Sequence, residues 1–506
     1  MTTATAAEQA AASSLATGIE GLDAILAGGY ASTHIHLIEG QPGTGKTTLA
    51  LQFLREGAAR GERCLYITLS ETRAELIASA ATHNWSLDGI DIYELIPPEL
   101  SLDPAQEQSV IYAADLELGE TVRMVMAELE RVRPLRVVFD SLADIRQLAQ
   151  SGLRYRRQVM ALKYYLARHG ATSLLLDDLT DHQDNLALHS IAHGVLRLEQ
   201  VAPSFGAERR RLRVYKMRGR AFRGGFHDFV IRPGGIVLFP RLIAAEHRGL
   251  PAGAGGQPLA SNVPELDRLV GGGLDRGTST LLLGPSGAGK SSLALRFASS
   301  ALQRGEKVLM VTFDEVHHVL MRRAAGMGMD LEPFVASGLL TVEQVDPAEF
   351  PPGEIVSLVR RQVEHDDATV VILDSLNGYR SAMLDEAFLI LQIHELLSYL
   401  NQRGVVTLMV LAQHGLVGPM QNTVDLTYVS DTVLLLRFFE AIGQMRRAIS
   451  VMKKRTGVHE STIREYLIDS QGIRVGEPLH DFRGVLTGVP NYVGETASLM
   501  SVRANA

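Results

Sequence analysis

Gly40-Gln41-Pro42-Gly43-Thr44-Gly45-Lys46-Thr47 and Gly284-Pro285-Ser286-Gly287-Ala288-Gly289-Lys290-Ser291 are two copies of one pattern, G-x-x-x-x-G-K-[ST], 244 residues apart. Each follows an apolar run that reads as a strand, His34 to Glu39 and Thr280 to Leu283, and leads into a helical pattern, Leu49 to Arg60 and Leu293 to Arg304. In that setting the glycines let backbone N–H groups curl around phosphate oxygens, and the helix N-terminus adds a positive dipole end. The residues expected on ATP are Gly40, Gly43, Thr44, Gly45, Lys46, Thr47 and Thr48 in the first copy. Gly284, Ser286, Gly287, Ala288, Gly289, Lys290, Ser291 and Ser292 are their counterparts in the second. Lys46 and Lys290 reach the β/γ-phosphates, and the hydroxyls of Thr47 and Ser291 are Mg²⁺ ligands.

The repeat extends well beyond these loops. Asp23 and Asp267, each shortly before a glycine cluster, share the offset of 244, as do Glu71 and Glu315 after the next apolar run. Val137-Val138-Phe139-Asp140-Ser141 returns as Val371-Ile372-Leu373-Asp374-Ser375 at an offset of 234, and Lys216-Met217-Arg218 as Lys453-Lys454-Arg455 at 237. A constant order at a nearly constant offset marks a duplication. Strand-like runs alternate with helical ones in both halves, which predicts α/β domains, each a mostly parallel sheet flanked by helices. The expected division is a flexible N-terminus at 1–15, a first domain at 16–247, a linker at 248–258, a second domain at 259–490 and a tail at 491–506. The linker carries Pro251, Gly253, Gly255, Gly256 and Pro258.

Asp140 and Asp374 end apolar strands downstream of the phosphate loops, the place for a carboxylate that holds Mg²⁺. Glu71 and the pair Asp314-Glu315 end the strand after the loop's helix, where a carboxylate can orient or deprotonate an attacking water. These three are the expected catalytic acids. Other clusters carry less. Asp177-Asp178 and His317-His318 lack metal-ligand spacing and read as strand-end and surface residues. Arg209-Arg210-Arg211 reads as a solvated turn, and Trp85 as core.

Composition sets outer bounds. The 506 residues, 46% hydrophobic and 21% charged, suit a soluble globular chain of two or three domains. A net charge of −8 argues against nucleic acid and anionic membranes as partners. The lone cysteine, Cys64, lies in an apolar run and reads as a buried thiol. The first fifteen residues do not resemble a signal peptide, and no apolar run approaches a membrane span, so the expected location is the cytoplasm.

With these motifs in place the chain resembles the KaiC family, RecA-like ATPases with two fused domains. Thr17-Gly18-Ile19-Glu20-Gly21-Leu22-Asp23 is similar to the family's opening motif, and Lys216-Met217-Arg218-Gly219 to its first-domain K-x-R-G. Met452-Lys453-Lys454-Arg455, His459 and Ile463-Arg464-Glu465 are similar to the matching second-domain stretch. The resemblance implies two tandem RecA-like P-loop domains and a homo-hexamer with ATP at subunit interfaces. Lys216, Arg218, Lys453 and Arg455 would then approach a neighbour's γ-phosphate. It also implies a serine/threonine autokinase in the second domain, whose acceptor sites fall on Thr427 and Tyr428. Only Thr427 keeps an aliphatic hydroxyl there. Where the family has paired glutamates after the second strand, this chain has Ser70-Glu71 and Asp314-Glu315.

The function expected from all this is an ATP-binding, ATP-hydrolysing regulatory protein read by an unidentified partner protein. A RecA- or helicase-like DNA motor and a nucleotide-locked scaffold with little turnover are the alternatives. Basic channel loops would mark the motor, and Ser70 favours the scaffold.

Overall fold

The predicted strands carry apolar residues at successive positions and so on both faces, which leaves neither face of the sheet to water. The computed structural model describes residues 14–95, 113–149, 152–179, 185–203, 206–247, 256–381, 386–413, 426–441, 443–485 and 491–493. In the first domain Leu37, Leu65, Ile67, Val137 and Phe139 pack into one core cluster, while Ile38, Cys64, Tyr66 and Val138 pack into another. The second domain repeats the division, with Leu281, Leu309 and Val311 on one side and Leu282, Val308 and Met310 on the other. Helices cover both cores.

Among the described residues each domain builds a nine-stranded sheet. In the first domain Ile90–Glu94, Cys64–Thr68, Arg136–Asp140, Thr172–Asp178, Ile35–Gly40 and Gly194–Val201 run parallel in that spatial order. Arg209–Met217, Phe226–Arg232 and Gly235–Phe239 continue it antiparallel. The second domain has the same order: Leu340–Gln344, Val308–Thr312, Val370–Asp374, Val406–Ala412, Ser279–Gly284 and Thr432–Ala441, then Gln444–Lys454, Arg464–Asp469 and Gly472–Pro478. The predicted α/β class and mostly parallel sheets are what the chain adopts. One strand, Thr172–Asp178 or Val406–Ala412, lies between the phosphate-loop strand and the strand that ends in Asp140 or Asp374.

Some expectations need adjusting. Arg209-Arg210-Arg211 is strand, not turn: Arg209 is buried, and Arg211 pairs with Glu199 at 2.9 Å with its guanidinium over Phe226. The fold divides between Arg241 and Leu242, a few residues before the expected boundary at 247. Leu242 and Ala244 are apolar and bury in a second-domain core, and the Ala244 N–H bonds Glu395 at 2.8 Å. Asn491–Tyr492, at the start of the expected tail, pairs with Phe482–Arg483. Residues 1–13, 248–255 and 494–506, which hold most of the expected terminus, linker and tail, lie outside the described residues. Cys64 and Trp85 are buried as expected, and His317-His318 is exposed. Among the described residues no helix is long and apolar enough to cross a membrane.

Candidate nucleotide sites

A helix leaves its first N–H groups without internal partners, to be satisfied by side chains, water or a ligand. Arg73–Thr82 uses side chains, in a capping box between Thr72 and Glu75. The two phosphate-loop helices, Lys46–Ala59 and Lys290–Gln303, do not. Their N-cap residues are Gly45 (φ 100°) and Gly289 (φ 96°), with no side-chain cap and no acidic residue in the first turn. Their N–H groups and dipole ends stay available to an anion. Glycine is required at these left-handed positions. A Cβ on Gly289 would sit 2.4 Å from Cδ1 of Ile468, and one on Gly45 2.7 Å from Cδ1 of Ile231.

In the first domain the predicted residues converge. The Lys46 ammonium donates to the carbonyls of Gly40 (2.9 Å) and Gln41 (3.0 Å). The Thr47 hydroxyl donates to Asp140 Oδ2 at 3.0 Å, so a hydroxyl and a carboxylate meet across the intervening strand. These are hard oxygen donors of the kind Mg²⁺ takes. Burial raises the Asp140 carboxyl above its usual range, against the hydrogen bonds from Tyr66 and Thr47. Glu71 is raised as well, by burial and then by the Asp140 charge. Two partners went unforeseen. Tyr66 donates its hydroxyl to Asp140 Oδ2, and Asp178 forms an ion pair with Lys46 at 2.7 Å. Asp177-Asp178 is therefore no bland strand end: the buried Asp177 pairs with Arg146 at 2.7 Å, and Asp178 sits in the site.

The second domain forms a cleft of about 730 Å³ lined by Ser286, Gly287, Gly289, Lys290, Ser291, Ser292, Asp314, Glu315, Asp374 and Ala412. Lys290 donates to the Pro285 carbonyl at 2.7 Å, and burial pushes its ammonium down to about 8. Burial also raises Asp374, against a hydrogen bond from Ser291. Asp314 accepts from the Ser375 hydroxyl at 3.0 Å. Arg323 takes both oxygens of Glu315, at 2.9 and 2.5 Å. Arg447 completes the rim, with its Nε 3.4 Å from the Gly287 carbonyl. Nothing in the local sequence announced Arg323 or Arg447, because both arrive from other elements.

A family model described as "ATPase: KaiC" matches residues 15–243 and 259–480. The chain belongs to the KaiC family. It is 27% identical over 496 residues to the circadian clock oscillator protein KaiC of Thermosynechococcus vestitus, covering 94% of this chain and 92% of that protein. Against the protein of the same name from Synechococcus elongatus it is 26% identical over 494 residues, covering 96% and 93%. The tandem RecA-like domains read from the sequence are the KaiC ATPase domain, twice.

The lysine–arginine pairs Lys216/Arg218 and Lys453/Arg455 occupy matching places in the two domains. Lys216 donates to the carbonyls of His189 and Ala192 (2.7 Å for the latter), and Arg218 to that of Ser190 at 2.8 Å. Lys453 donates to Thr427 and Ser430, both at 2.7 Å, and Arg455 to Tyr428 at 2.5 Å. Register puts these pairs toward the end of the sheet opposite their own phosphate loops. Lys216 lies opposite Val195, which pairs with Leu37, whereas the phosphate loop begins past Gly40. At about 3.3 Å per residue that is about 10 Å along the strand. Thr427 precedes a strand whose Thr432 pairs with Thr280, again the far end from Gly284. Ser430 and Thr432 are buried, while Thr427 is half-buried and Tyr428 exposed.

Proposed function

We propose that both domains bind Mg-ATP and hydrolyse it in a homo-hexameric ring, each site completed by a lysine and an arginine from the neighbouring subunit. The observation that carries this reading is the register: the paired cations lie at the sheet end opposite their own phosphate loop, in both domains, on matching backbone carbonyls. Such a pair serves a γ-phosphate only across an interface. Thr47 with Asp140, and Ser291 with Asp374, would hold the Mg²⁺, whose part is to neutralise charge on the β- and γ-phosphate oxygens. Lys46 and Lys290 would exchange their carbonyl partners for phosphate.

In the second domain Arg323 engages both oxygens of Glu315, which leaves Asp314 as the carboxylate to take a proton from water or from an acceptor hydroxyl. Glu71 has that task in the first domain, where Ser79 stands at the position of Arg323 and Ser70 at that of Asp314. Its raised carboxyl pKa suits a base. Burial of Ser430 and Thr432 leaves Thr427 as the aliphatic acceptor for autophosphorylation by a neighbour's second domain. Nucleotide and phosphate state would then alter a surface read by a partner protein; the acidic balance favours protein over nucleic acid.

The decisive experiment counts bound nucleotide and measures ring formation together. Wild type should bind two ATP per chain and form a ring-sized species with a poorly hydrolysed analogue. Lys46→Ala and Lys290→Ala should each lose about one equivalent. A chain that stays monomeric at micromolar concentration with every nucleotide removes the shared-site reading.

A further inference from the structure

We propose that Asp178 is a built-in competitor for the phosphates of ATP at the first site. Its carboxylate weakens nucleotide binding there, and the second site has no counterpart to it. The inference rests on the ATP-site reading above and concerns how the two sites differ.

The differences lie at three matched positions. Asp178 and Ala412 end equivalent strands, each paired in register with the last glycine of its phosphate-loop strand, Gly40 and Gly284. Asp178 Oδ1 lies 2.7 Å from Lys46 Nζ, with the lysine side chain 8% and the aspartate 29% exposed. Ala412 lines the second cleft and offers Lys290 no charge. Tyr66, whose hydroxyl bonds Asp140, is replaced by Met310. Arg447, on the second cleft, corresponds to Arg210, which is drawn away to Glu208 at 2.7 Å. The first site thus sets the carboxylates of Asp140 and Asp178 around Lys46, with Glu71 beside Asp140. The second sets Asp314, Glu315 and Asp374 against Lys290, Arg323 and Arg447.

An incoming phosphate is an anion seeking the same ammonium that Asp178 holds. It must displace that carboxylate and then tolerate it nearby. A partly buried ion pair of this kind contributes on the order of 1 kcal/mol, about fivefold in affinity. Asp178 is a positioning residue: it acts through Lys46 and takes no part in bond making.

The test is equilibrium binding of a fluorescent ATP analogue with Mg²⁺ to the full chain, read one site at a time. In the Lys290→Ala background, which leaves the first site, Asp178→Asn should tighten binding about fivefold. In the Lys46→Ala background, Ala412→Asp should weaken the second site by a similar factor. Thermal unfolding of each variant identifies any that fail to fold. The reciprocal substitution decides the matter if Asp178→Asn is among them. Unchanged or weaker binding in Asp178→Asn, or an Ala412→Asp protein that binds as tightly as its parent, overturns the inference while the sites themselves stand. A Lys290→Ala protein that binds no nucleotide overturns the first-site reading and this inference with it.

Discussion

Two dead proteins should make a living one if the sites are shared between subunits. Lys46→Ala removes the phosphate-binding cation, and Lys216→Ala the cation at the opposite sheet end; both are built on Lys290→Ala so that the second site is silent. Lys216 lies about 10 Å along the strand from its own loop, so it cannot rescue its own site. Loss of a cation contributed in trans costs on the order of a thousandfold in turnover. Each variant alone is therefore inactive at the first site. In a ring assembled from equal amounts, an interface works when a subunit retaining Lys46 faces a neighbour retaining Lys216. Random mixing gives that arrangement at about one interface in four of a head-to-tail ring. The assay is phosphate release with Mg-ATP after co-assembly, with sizing to establish that mixed rings formed. About a quarter of the Lys290→Ala parent rate is expected. Mixed rings with only the summed background of the two variants would refute the trans role of Lys216.

Three further outcomes follow from the same geometry. Burial holds the Lys290 ammonium down to about 8, so above that pH ATP binding at the second site must first take up a proton. Affinity there should fall as pH rises past about 8, approaching tenfold per unit, and titration of the Lys46→Ala protein between pH 7 and 9.5 checks it. His36, fully buried in the first domain, is held down to about 3 by desolvation, so the folded protein keeps it neutral while the unfolded chain protonates below 6.5. Stability from this group is lost as pH falls from 6.5 toward 3, by up to about 1.4 kcal/mol per unit, and denaturant unfolding of wild type and His36→Gln should diverge in that slope. Phosphopeptide mapping after Mg-ATP incubation should place phosphate on Thr427 and lose it in Thr427→Ala; label on the exposed Tyr428 instead would reassign the acceptor.

Sequence alone determined the duplication, the fold class and the loops around Lys46 and Lys290, because those depend on local order: a strand, a glycine turn and a helix must follow one another within a few residues. Asp140 and Asp374 were legible for the same reason, each closing an apolar run after a phosphate loop. The rest depended on which strands become neighbours. The insertion of Thr172–Asp178 beside Ile35–Gly40 carries Asp178 to Lys46, and no spacing rule links residues 132 positions apart. Arg323 reaches Glu315 from the last turn of the helix His317–Ala325, while Arg447 arrives from an antiparallel strand. The trans roles proposed for Lys216 and Lys453 come from family likeness. Sheet register adds their geometric reason: parallel strands put the phosphate loop at one end, and the antiparallel return puts these two lysines toward the other.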